Sequence, residues 1–328
     1  MGLQYSCMMP GRQPQVAVAA GSAHSHLAAI VAALPDSIAV YVSTDSARRF
    51  AEARPILSGK VMAGRHRGPR AAWIDGALVV TAIRDGGIHS WRSSDLGRTW
   101  VKGAIVNDVQ NSAREGLHAF VSGNLGLFCA WLDLRNKGTS LYAATSRDGL
   151  SWSDNRVVYS SPSGNICECC HPNAMITSDA ALHVMWRNWL DGSRDLYLAT
   201  STDGGFTFKA LKLGQGTWPL NACPMDGGAL ALPYTAWRRE KTVYLCRPRE
   251  AEIAIGEGKD PALAVDAAGN PVIAWTQGQN IMMQIGPSGK PSTLAQGGYA
   301  QLIRMHESIL AVWETSDETG SLDYALLS

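Results

Sequence analysis

Ser93-Ser94-Asp95-Leu96-Gly97-Arg98-Thr99-Trp100 returns downstream as Ser201-Thr202-Asp203-Gly204-Gly205-Phe206-Thr207-Phe208. A shortened copy reads Ser146-Arg147-Asp148-Gly149-Leu150-Ser151-Trp152, and a degenerate one reads Ser43-Thr44-Asp45-Ser46-Ala47-Arg48-Arg49-Phe50. The four starts, at 43, 93, 146 and 201, lie 50, 53 and 55 residues apart, which is the period of a four-stranded propeller blade. Each copy follows an alternating strand pattern such as Leu141-Tyr142-Ala143-Ala144-Thr145. The motif therefore reads as a hairpin turn. Its Asp accepts hydrogen bonds from turn N–H groups, its Gly supplies positive φ, and its aromatic residue packs back on the blade. These residues are structural and carry no catalytic assignment.

A second repeat counts the blades. Strands ending in tryptophan recur at Phe128–Trp131, His183–Trp186, Tyr234–Trp237, Val272–Trp275 and Leu310–Trp313, and the equivalent earlier strands are Leu27–Leu34 and Leu78–Arg84. Seven units follow. The last, Gly298–Ser328, holds only three strand-like runs, so the N-terminal Leu3–Cys7 is expected to supply a fourth and close the ring. Closure removes the exposed sheet edges. The expectation is an all-β chain: one β-propeller domain over residues 1–328, with seven four-stranded blades rather than six.

Bulk properties agree. The chain has 328 residues, 46% of them hydrophobic, with 33 glycines and 11 tryptophans, as many short strands and tight turns require. The 29 basic and 28 acidic residues leave a net charge of +1, which gives no footprint for nucleic acid or an anionic membrane. No apolar run reaches the roughly 20 residues that span a bilayer. Met1-Gly2-Leu3-Gln4-Tyr5-Ser6-Cys7 shows no signal peptide. A mature form trimmed of a leader would read the same, so periplasmic or extracellular and cytoplasmic locations both stay open. Oligomeric state is not legible.

The chemistry concentrates in Ile166-Cys167-Glu168-Cys169-Cys170-His171-Pro172-Asn173 and in Asn221-Ala222-Cys223-Pro224-Met225-Asp226-Gly227-Gly228. Packing needs no such density of thiols; metal capture, disulfide formation or thiol chemistry does. Seven cysteines is an odd count, so at least one is free, metal-bound or paired between chains. Cys129 and Cys246 sit inside apolar strand patterns and read as packing residues. In a propeller the segments leading into each first strand form one mouth of the channel. Those segments carry His66 and Arg70, Glu115 and His118, Cys167 to His171, Cys223 to Asp226, and Asp260. The repeat phase thus gathers Cys167, Cys169, Cys170, His171, Cys223 and Met225 on one rim, with His66, Arg70, Glu115, His118 and Asp226 beside them.

Three readings of this cluster stand. The first is a soft-metal site for copper or zinc, built from the four thiols with help from His171 and Met225. The second is a disulfide-stabilised mouth with no metal. The third is a catalytic thiol, with His118 or His171 as base and Arg70 holding an anionic substrate. Copper is the favoured cofactor. A shared metal would hold sulfurs about 3.5–4 Å apart, and a disulfide would bring one pair to about 2.05 Å. Either way, Cys223 is expected beside the Cys167–Cys170 turn.

The turn motif resembles the Asp-box, or BNR repeat, of the sialidase superfamily of β-propellers. That resemblance implies a propeller fold and a small-molecule or glycan ligand at the channel mouth, with exo-glycosidase action on acidic sugars as an alternative function. It implies Arg70 as a carboxylate-binding arginine, Asp85 near the acid/base position, Glu115 as partner of a nucleophile, and Tyr299 opening the last blade as a substrate contact, together with His66, Arg70 and Asp226. The family's Arg-Ile-Pro is not intact, because Ala71 and Ala72 follow Arg70. Its own propellers have six blades. The chain is more closely similar to a bacterial sialidase-like group marked by His-Arg-Gly-Pro-Arg, Ile-Cys-Glu-Cys-Cys-His-Pro and Asn-Ala-Cys-Pro-Met-Asp-Gly-Gly, all present here. A non-enzymatic binding propeller remains a further possibility.

Overall fold

Twenty-eight strands pair into seven four-stranded antiparallel sheets, each one blade of a β-propeller. The structure, a computed structural model, describes residues 3–316 and 320–327. Six blades run in simple chain order from the channel outward. Blade 1 is Arg12–Val18, Ala28–Ala33, Ile38–Ser43 and Ala51–Glu52; blades 2 to 6 open with the inner strands Arg70–Ile74, His118–Gly123, Asn173–Ile176, Ala229–Ala231 and Lys259–Val265. Blade 7 takes Gly298–Met305, Ser308–Glu314 and Ser321–Leu327 from the C-terminal end, and Leu3–Pro10 as its outermost strand. Leu3 pairs with Leu326 and Pro10 with Ser321 across that seam. The side chain of Cys7 lies outside those described. Among the described residues there is no helix, and so none long and apolar enough to cross a membrane.

The turn motif folds as its residue types dictate, with one addition. In blade 2, Asp95 Oδ1 accepts from Thr99 N at 2.9 Å and Asp95 Oδ2 from Thr99 Oγ1 at 2.7 Å. These bonds, with that from Ser93, push the Asp95 carboxyl down to about 2. The hub is the serine, which sequence reasoning passed over. Ser93 Oγ donates to Asp95 at 2.7 Å and accepts from Gly97 N at 2.8 Å. Ser201 and Ser43 repeat the same bonds, and Ser146 does so with Asp148 and Gly149. The second-strand tryptophans 131, 186, 275 and 313 are fully buried between blades. Each supplies the large apolar area that fixes blade to blade.

Candidate functional site

Cys167, Cys169 and Cys170 are brought together by the short turn that leads into the inner strand of blade 4. Cys167 N bonds Arg187 O at 3.0 Å, which pins the turn to the second strand of that blade. The three sulfurs lie 3.3 Å (Cys167–Cys170), 3.7 Å (Cys167–Cys169) and 4.0 Å (Cys169–Cys170) apart. All three residues are buried, and their sulfurs could share one metal ion. No pair approaches the roughly 2.05 Å of a disulfide, and none of the six cysteines with described side chains is bridged. Met225 packs against the trio. Its sulfur accepts from Arg65 Nη1 at 3.1 Å, which leaves a second lone pair.

Charge around the turn is asymmetric. Arg194 Nη1 donates to Cys167 Sγ at 3.0 Å and lies 3.5 Å from the Glu168 carboxylate. Hydrogen bonds shared with Cys169 and Cys170, then the Arg194 and Arg187 charges, hold the Cys167 thiol far below its ordinary range. The same sharing pushes Cys169 up, and burial pushes Cys170 up. Of the three sulfurs, Cys167 is thus the one on which negative charge is most favoured. Arg187 is fully buried and donates to Asp226 O, Arg194 O and Arg238 O at 2.9, 2.7 and 2.9 Å. It ties the cysteine turn of blade 4 to the methionine segment of blade 5.

Two other expected ligands are placed differently. Cys223 is exposed, and its thiol reaches the Glu168 carboxylate at 3.9 Å rather than the sulfur trio. His171 is buried, and both ring nitrogens are engaged. Gly227 N donates to Nδ1 at 3.3 Å, so Nε2 carries the hydrogen and donates to Gly228 O at 3.1 Å. Burial, then the charges of His66 and Arg70, hold its pKa well below the ordinary histidine value. Gly227 is required here, because a Cβ on it would sit 1.8 Å from His171 O.

His66 occupies the channel axis. From the lead-in to blade 2, its backbone N bonds the Gln13 side chain of blade 1. Its ring stacks on His171 of blade 4 at 4.1 Å and meets the Tyr299 ring of blade 7 edge-on at 5.2 Å. Its Nε2 bonds Asp260 Oδ1 of blade 6 at 2.8 Å. Only a residue at the centre of the ring meets blades 1, 4, 6 and 7 at once. Asp226 braces this plug: its carboxylate accepts from Asp260 N at 2.9 Å and Gly228 N at 3.2 Å. Gln13, His66, Met225, Asp260 and Tyr299 all hold left-handed φ, between 53° and 65°. Each such non-glycine residue costs about 1–3 kcal/mol, a strain that gathers where side chains must be aimed. Bulges in the inner strands of blades 1, 6 and 7 do the aiming.

Gln13 and Glu314, which were not singled out from sequence, complete the plug. Gln13 donates through both its backbone N and its side-chain amide to Glu314 across the ring seam. A signal was present: Gly11-Arg12-Gln13-Pro14 has the same form as Gly258-Lys259-Asp260-Pro261.

Of the residues expected to hold or cleave an acidic sugar, His66, Asp226 and Tyr299 meet in the plug and Arg70 joins it through His66 O, whereas Glu115 and Asp85 pair with arginines elsewhere. Arg70 is buried and donates to the carbonyls of His66, Gly68 and Pro69 at 2.6, 3.3 and 3.1 Å. His118 is buried behind it, with Nε2 on Thr81 Oγ1 at 3.0 Å and Nδ1 unpaired. Burial, then the Arg70 charge, holds its pKa well below the ordinary histidine value. Glu115 lies beside Arg67, whose Nη2 is 4.0 Å from its carboxylate; burial raises its pKa. Asp85 sits on a hairpin with an exposed carboxylate 3.5 Å from Arg84 Nε.

No protein-family model and no curated protein matches the chain. Solved structures are similar in fold. An ulvan lyase of polysaccharide lyase family PL25 superposes with a TM-score of 0.58 at 11% identity, covering 98% of this chain and 95% of that one. YCF48 bound to a D1 peptide gives 0.56 at 7% identity, covering 99% and 95%. The Trypanosoma rangeli sialidase in complex with the inhibitor DANA gives 0.52 at 11%, covering 99% of this chain and 60% of the sialidase. The chain thus spans under two thirds of that sialidase's length. The shared feature is the β-propeller fold.

Proposed function

We propose that this propeller binds a soft metal ion, copper(I) in preference to zinc, through Cys167, Cys169 and Cys170 at the channel mouth, with Met225 as a thioether donor. The observation that carries the reading is the buried sulfur trio: two of its spacings, 3.7 and 4.0 Å, match the roughly 3.5–4 Å expected of metal–sulfur bonds near 2.3 Å, and the third is 3.3 Å. The choice of metal rests on the donors. Structural zinc sites complete three thiolates with a fourth thiolate or an imidazole, yet Cys223 faces the Glu168 carboxylate and both nitrogens of His171 are engaged by the backbone. Thiolates and a thioether select copper(I). Arg194 and Arg187 supply the counter-charge that lets thiolates stay buried. The His66 plug and the exposed Asp85 give glycoside cleavage no comparable support. Elemental analysis of chain purified without chelator, with thiol titration before and after copper(I) loading, tests the reading. One copper per chain, lost in Cys169→Ser and kept in Cys223→Ser, is expected. A chain that takes up no copper(I) with all thiols reduced overturns it.

A further inference from the structure

Below the His66 plug the channel holds a cavity of about 130 Å³. That is room for roughly four waters at ~30 Å³ each, far under the ~300 Å³ from which sites for larger organic ligands begin. Its polar lining is distinctive. Arg70 is the cation; Gln15, Asn173 and Gln301 present amides from blades 1, 4 and 7; His66 and His171 form the roof; and no Asp or Glu lines it.

Arg70 is the puzzle. A buried guanidinium normally has a carboxylate partner, because an unpaired buried charge is costly. Arg70 has none within the 4.0 Å of an ion pair among the described residues, and its hydrogen bonds go to three backbone carbonyls. Those carbonyls fix the plane of the guanidinium and leave part of its five N–H donors unused. The Asn173 and Gln301 side chains make no hydrogen bond among the described residues, and Gln15 makes only a 3.5 Å contact to Val16 O. A fixed cation and three open amides around a small, carboxylate-free space lack one thing, a compact anion.

We infer that the cavity binds a small oxyanion or one-carbon carboxylate, of formate or nitrate size, held by Arg70 and the amides of Gln15, Asn173 and Gln301. The anion supplies the missing counter-charge, and a charge-assisted bond to a preset guanidinium needs little reorganisation. The site excludes sugar acids by volume and by the ring of His66 across the axis. None of the three cysteines lines it.

The test is thermal unfolding and calorimetric titration of the full chain with potassium formate and potassium nitrate, against potassium gluconate at matched ionic strength. A saturable rise in Tm of about 2–4 °C with the small anions, and none with gluconate, is expected. Arg70→Met should abolish it. Because that variant removes a buried brace, Asn173→Leu and Gln301→Leu serve as second variants, each weakening formate about tenfold. The Cys169→Ser chain should bind formate as the unaltered chain does. Equal responses to gluconate and formate, no response to either small anion, or unchanged binding in both amide variants would overturn the assignment.

Discussion

Replacing Arg194 by Met removes the charge that faces Cys167 while keeping an unbranched side chain of similar length. The structure sets the size of the effect. Arg194 Nη1 lies 3.0 Å from the Cys167 sulfur, and the arginine side chain is almost fully buried. A hydrogen bond to a charged group in such a place is worth about 1.5–3 kcal/mol, roughly a 10- to 150-fold change in an equilibrium constant. Loss of groups that brace metal ligands from behind ordinarily lowers affinity 10- to 100-fold. The two ranges agree. Arg194→Met should therefore weaken copper(I) by about 10- to 100-fold in competition with a chromophoric copper(I) chelator, with one metal still bound per chain. Arg194→Lys should recover part of the loss, because it restores the charge without the planar fork. Arg194 also donates to Leu220 O at 3.2 Å, so urea unfolding of each metal-free variant separates loss of fold from loss of affinity. A copper(I) affinity within twofold of the unaltered chain would refute the role of the arginine in holding the thiolate.

Two further expectations follow. Ser146→Ala strips the hub of a turn and leaves the buried Gly149 N–H, now bonded at 2.7 Å, without its acceptor; urea unfolding should show a loss of about 1–3 kcal/mol with copper binding unchanged. Burial acts to raise the Asp260 carboxyl, but the His66 hydrogen bond and the Lys259 and Arg238 charges prevail and hold it below its ordinary value. A carboxyl lowered in the fold contributes stability that is complete above its unfolded pKa of about 3.9 and is lost as pH falls through the folded value. Asp260→Asn should therefore flatten the fall in stability below about pH 4, and a variant whose acid-unfolding profile matches that of the unaltered chain would exclude the pair as its source.

The fold was legible because its signals are local. A Ser-x-Asp turn carries its own hydrogen bonds within seven residues, so it leaves the same mark at 43, 93, 146 and 201 wherever it is copied. The phase of that repeat also foretold that the Cys167 turn and the Met225 segment meet. The membership of the site was less legible. Nothing near His171 in the chain announces that Gly227, 56 residues on, will take its free nitrogen lone pair. Nor does the Ala-Cys-Pro-Met run reveal that its thioether turns inward while its thiol faces solvent; that depends on the left-handed φ of 56° at Met225. The Gln13–Glu314 bond joins residues 301 apart, across the seam where the ring closes.

That seam also governs how the chain reaches its shape. Strand Leu3–Pro10 is made well before Ser321–Leu327, its one partner among the described residues. Until the final blade exists, the first strand and the last sheet each present an unpaired edge, and such edges invite pairing with other chains. Bringing those ends together is the longest-range step available to the molecule, and long-range pairing is slow. Ring closure should thus be the late event of folding, in which Leu3–Pro10 settles only once Ser321–Leu327 is in place.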